Sequence, residues 1–97
     1  MSDQLKLADL KSLVNETFTM IGNNVTTEAE LIEVVDKSNE QVEGFSALFS
    51  VPRENHTGQS VFQLKHDKVG EHDLLMVPVG EDGNDIHYEM IISRLKE

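Results

Sequence analysis

Histidine and carboxylate side chains are the groups in this chain able to move a proton or hold a metal near neutral pH, so their spacing is the place to begin. Four histidines occur: His56, His66, His72 and His87. None stands in an H-E-x-x-H or H-x-H arrangement, so a metal site would need ligands gathered by the fold. His66 and Glu89 are polar residues set within well-patterned apolar segments. Such a pair could act as acid and base. The same two residues would serve equally as a buried hydrogen bond or ion pair that fixes strand register.

The other candidate chemistries lack their patterns. Gly80 to Asp85 carries Glu81, Asp82, Asn84 and Asp85, a composition suggestive of calcium. An EF-hand loop needs alternating Asp/Asn before its Gly and a Glu well beyond it, and neither is present. Ser46, Ser50, Ser60 and Ser93 have no G-x-S-x-G setting for a nucleophile. There is no dinucleotide fingerprint and no P-loop, so no cofactor is implied. No residue is assigned a catalytic, cofactor-binding or metal-binding role.

The elements that would position these residues belong to one β-rich domain spanning residues 1–97. A chain of this size buries roughly two-thirds of its unfolded surface, enough for a thin core. Apolar residues make up 38% of it, and they cluster at 44–51, 61–64, 74–79 and 86–92, each able to bury a face. There is no cysteine, hence neither a disulfide frame nor a thiolate zinc site. Met1-Ser2-Asp3-Gln4 shows no secretory signal, and the longest apolar run, Leu74 to Val79, is far short of the ~20 residues of a membrane helix. A cytoplasmic protein with no membrane contact is expected, and the sequons at Asn15, Asn24 and Asn55 read as chance matches.

The first segment, Ser2 to Asn15, reads as a helix (about residues 3–15). Ser2 or Asp3 can cap it, Leu7, Leu10, Leu13 and Val14 share a face, and Asn15 stops it. Thr17 to Ile21 is a short strand closed by Gly22-Asn23-Asn24. Thr26 to Glu43 is ambiguous. Thr27 to Glu30 fits a capping box and Leu31, Val34 and Val35 have helical spacing, whereas the β-branched run Leu31–Val35 favours strand. Beyond Gly44 the pattern clears. Phe45, Ala47, Phe49 and Val51 alternate with Ser46, Leu48 and Ser50 up to Pro52, and Arg53 to Gly58 is a loop. Phe62, Leu64 and His66 share one face of the next strand, and Asp67 to Gly70 is a tight turn. Leu74 to Val79 is continuously apolar, which predicts a central strand covered on both faces, with Pro78 pointing to a bulge. Asp82-Gly83 marks a hairpin into Ile86 to Leu95. Strands at short spacing across 44–94 make an antiparallel barrel or sandwich of about six strands, mainly β, with one short N-terminal helix. Phe18, Phe45, Phe49, Phe62 and Tyr88 all fall in strands, as core residues do.

The run Phe45-Ser46-Ala47-Leu48-Phe49, then Gln59-x-x-Phe62-x-Leu64-x-His66, Gly70, Leu74 to Gly80 and Tyr88-Glu89-Met90-Ile91 resembles a small bacterial domain family of unknown function. Its members are associated with phage-tail-collar-like proteins. The resemblance spans about residues 44–93, with looser agreement at the N-terminal helix and Phe18. It implies strand through Leu31–Val35, which resolves the ambiguous segment. Family domains often carry Gly-Pro where this chain has Val51-Pro52. The family brings no catalytic residues to carry over.

Charge bounds the function further. Eighteen acidic residues against eight basic ones give −10, which would repel a phosphate backbone, so no nucleic acid is expected. Six acids lie between Glu28 and Glu43 against Lys37 alone, and six more between Glu71 and Glu89 with no Lys or Arg. They form either a solvated surface or a docking face for a basic partner. The leading expectation is a protein-interaction or accessory domain, phage-related by resemblance, whose partner is another protein. A small-ligand binder or enzyme built on His66 and Glu89 is the alternative, and an acidic inhibitor mimicking nucleic acid is a third. An exposed edge strand would favour a homodimer.

Overall fold

In a computed structural model, which describes residues 7–22, 24–55 and 58–95, the chain is a closed antiparallel barrel of six strands with one short helix. The helix, α1, covers Leu7–Lys11. The strands are β1 (Thr17–Gly22), β2 (Val25–Asp36), β3 (Val42–Pro52), β4 (Ser60–His66), β5 (Gly70–Asp82) and β6 (Asp85–Leu95). The helix start expected at Ser2 or Asp3 lies outside the described residues. The helix ends earlier than the expected stop at Asn15: it closes at Lys11, residues 12–15 form turns, and Asn15 takes φ 78°, the left-handed conformation that asparagine tolerates better than most residues. The amide of Asn15 donates to the carbonyl of Leu31, and the amide of Leu31 to that of Glu16, tying the exit of the helical segment to β2.

The order around the barrel is β1-β2-β3-β6-β5-β4, closed by β4 against β1. Two three-stranded meanders, β1–β2–β3 and β4–β5–β6, are thus joined along two seams. The β3–β6 seam pairs eleven residues, from Val42↔Leu95 to Pro52↔Asp85. The β1–β4 seam pairs three: Thr19↔Lys65, Met20↔Leu64 and Ile21↔Gln63. Beside the short seam, a Cβ on Gly22 would stand 2.6 Å from Cδ1 of Phe62 and 3.1 Å from the carbonyl of Val61. The missing side chain therefore lets Phe62 fill the barrel there.

Two bulges decide which residues face inward. In β2, Leu31 opposes Phe49 and Glu33 opposes Leu48, leaving Ile32 as the extra residue. The insertion resets the alternation, so Leu31 and Val34 face the core while Glu33 and Val35 face solvent. The segment read ambiguously at 26–43 is therefore strand through Asp36, and its helix-like spacing is the signature of the bulge. In β5, Pro78 opposes Tyr88 and Gly80 opposes His87, leaving Val79 extra. A bulge is where a residue lacking an N–H fits, as Pro78 led one to expect.

The core holds Phe18, Met20, Phe45, Phe49, Phe62, Met76, Tyr88 and Met90, with Leu10 and Leu13 from the helical segment packed among them. Phe18 meets Phe49 edge-on at 5.3 Å and Phe62 meets Tyr88 at 6.1 Å, geometries that suit ring quadrupoles. One expectation is corrected. Leu74–Val79 is not covered on both faces, because Leu75 and Val79 are half exposed on the outside of the barrel. Only Leu74, Met76 and Pro78 turn inward.

Candidate interaction surface

Strand alternation fixes what faces outward once the core residues are placed. On β4, β5 and β6 the outward positions include Val61, Leu75 and Ile91, which are 59%, 50% and 60% exposed. Val61 lies opposite Leu75, and Ile91 lies opposite Ser46, which in turn lies opposite Val35. Met76 opposes Met90, so Leu75 and Ile91, one residue on from each, stand side by side at the end of that ladder. The result is one row, Val35–Ser46–Ile91–Leu75–Val61, crossing five strands with four large apolar side chains open to solvent. The next row alternates acid and apolar: Glu33 opposes Leu48, Leu48 opposes Glu89, and Glu89 opposes Val77. On the other flank Asp73 lies opposite Gln63.

The far side of the barrel is built differently. There Thr17, Thr19, Glu28 and Glu30 are exposed, paired across strands as Thr17↔Glu30 and Thr19↔Glu28. At the flared end of the β1–β4 seam lies an open cleft of about 560 Å³, lined by Thr17, Thr19, Lys65, His66, Asp67, Gly70 and Glu71. Two of its charges are matched to each other: Lys65 Nζ is 3.7 Å from Glu71, whose other oxygen accepts a hydrogen bond from Gln63 at 3.2 Å.

His66 closes this seam. Its Nδ1 accepts the amide N–H of Lys68 at 3.0 Å, so that nitrogen carries the lone pair. The proton therefore sits on Nε2, which donates to Glu16 Oε1 at 3.0 Å. The ring, with 10% of its side chain exposed, also packs on Phe18 with centroids 4.8 Å apart. Lys68 Nζ stands 3.7 Å from the second oxygen of Glu16. The carboxylate that meets His66 is thus Glu16, beside the start of β1, and not Glu89. Glu89 faces outward on β6, with β5 between it and the strand of His66. Glu16 was not singled out from sequence. Fifty residues separate it from His66, and nothing local marks it.

The remaining histidines do not converge. His72 Nε2 donates to the carbonyl of Val69 at 2.6 Å, bracing the β4–β5 turn from its other side. His87 lies on β6 opposite Ser50, and His56 lies outside the described residues. The acidic 80–85 loop is held by Arg53, which donates to the Gly83 carbonyl at 3.1 Å and pairs with Glu81 at 3.0 Å. Among the described residues no group of three or more His, Asp or Glu side chains could hold a metal ion, and no helix is long and apolar enough to cross a membrane.

A family model for a domain of unknown function, DUF6916, matches residues 5–92. The chain belongs to the DUF6916 family. No curated protein and no solved structure matches it. The DUF6916 match covers β1 to β5, β6 as far as residue 92, the short seam and the outer apolar row, so these features lie within the family's own domain.

Proposed function

We propose that this domain is a protein-interaction module, an accessory domain that holds another protein against the outer face of β3, β6, β5 and β4. The supporting observation is the exposed row through Ile91, Leu75 and Val61. Scattered apolar residues are normal on any surface, but a contiguous row costs solubility and is characteristic of docking sites. Barrel closure leaves few free strand edges, so association would run through side chains on a face rather than through added strands. The family resemblance suggests a phage-related setting for such a partner. An enzymatic reading of His66 has less to rest on, because both its ring nitrogens are engaged in holding the seam.

A photo-crosslinking residue placed at Ile91, with a second variant carrying it at Glu28, tests the reading in cells of the native host. The expected result is a discrete adduct from position 91, none from 28, and loss of the adduct when Leu75→Lys is added. Equal labelling from both positions, or none from 91, would overturn it.

A further inference from the structure

Building on that interaction reading, we infer that the segment received by this face is basic as well as apolar: a protein segment in which Lys or Arg side chains flank two or more apolar anchors. The apolar row has carboxylates on both of its sides. Glu33 and Glu89 lie on one side, and Asp73 on the other. Each margin is two residues along the strand from the row, a step of about 7 Å. A Lys or Arg adjacent to a seated apolar side chain can reach across that distance. Among the described residues no hydrogen bond or ion pair engages the carboxylates of Glu33, Asp73 or Glu89. By contrast, Glu16, Glu71 and Glu81 each have a cationic partner within the domain. Two lysines lie near these rows: Lys65, next to Gln63 on β4, is already paired with Glu71 at 3.7 Å, and Lys37 stands beyond the end of β2, at the opposite end from Leu75 and Val61.

A second copy of the chain is the poorer occupant. Two such faces in contact would oppose apolar surface with apolar surface, but they would also bring together acidic margins on molecules of formal charge −10. Like charges set against one another in this way disfavour the pairing. A basic partner meets both the row and its margins. Because the margins stay at the wet rim, their contribution would be sensitive to salt.

The experiment uses the full isotope-labelled chain and three synthetic peptides that share one apolar core, flanked by Lys, Gln or Glu. Backbone chemical shifts report where each binds. The Lys peptide is expected to perturb the resonances of Val61, Leu75 and Ile91 and to bind about tenfold more tightly than the Gln peptide at low salt. That advantage should vanish in ~1 M salt and in the triple variant Glu33→Gln, Asp73→Asn, Glu89→Gln, whose spectrum will show whether the barrel is intact. Equal affinity of the Lys and Gln peptides for this face would overturn the basic-partner inference and leave the interaction reading standing. Binding of the Lys peptide at Glu28 and Glu30 instead, or no perturbation of the row by any peptide, would overturn both. Concentration-dependent self-association that broadens the Leu75 and Ile91 signals would make a second copy the occupant and overturn the inference.

Discussion

The two outer sides of this barrel cover the same kind of interior but are written in different residues. The β1–β2 side shows solvent threonine and glutamate, with Thr17↔Glu30 and Thr19↔Glu28 as its cross-strand pairs. The β3–β6–β5–β4 side shows Val61, Leu75 and Ile91, edged by Glu89 and Asp73. Inward positions on both sides are constrained alike: Met20 and Ala29 on one, Met76 and Met90 on the other, are all fully buried. Folding therefore does not require the difference outside. The polar side illustrates how a barrel of this size can be solvated, and the apolar side departs from it. The departure is informative because core packing has no stake in it.

If the inside carries the fold and the outside carries recognition, substitutions should sort by direction rather than by hydrophobicity. The largest effect is expected at Gly22. Valine there would drive its side chain into Phe62 and the Val61 carbonyl, beside a seam of only three pairs. Gly22→Val should cost ~1–3 kcal/mol as overpacking, read as a lower thermal midpoint and faster amide exchange in β1 and β4 than in β3 and β6. A midpoint equal to the parent's would mean that Phe62 has room to move and that the seam is not tightly packed. His66→Ala comes next. It removes the acceptor for the Lys68 amide, the donor to Glu16 and the ring against Phe18. A loss of ~1–2 kcal/mol in denaturant unfolding is expected, with the Lys68 amide losing protection. An unchanged Lys68 amide would remove His66 from the account of the turn.

Much of this architecture was legible in the sequence where period-two alternation was clean. Phe45, Ala47, Phe49 and Val51 announce β3, and Tyr88 and Met90 announce the inner face of β6. The sequence misled at the bulges and on the outer face. At Ile32 one inserted residue turns an alternating strand into Leu31–Val34–Val35 spacing that imitates a helix. At Leu74–Val79 the composition of both faces is apolar, and composition cannot distinguish a face covered by the protein itself from one left for another molecule. His66 stood out as a polar residue in an apolar strand. Its partner did not, because the Glu16 contact exists only once the barrel closes β4 onto β1.

The smallest expected effect is also the most direct test. Leu75→Thr and Ile91→Thr, separately and together, replace exposed apolar side chains with a β-branched residue that suits a strand. Equilibrium unfolding of these variants should fall within about 0.5 kcal/mol of the parent for each substitution, while crosslinking from a photo-reactive residue placed at Val61 is lost. A destabilisation of ~2 kcal/mol or more, the range of a buried Leu or Ile truncation, would show that these side chains serve the fold, and the outer row would then no longer stand as a surface for a partner.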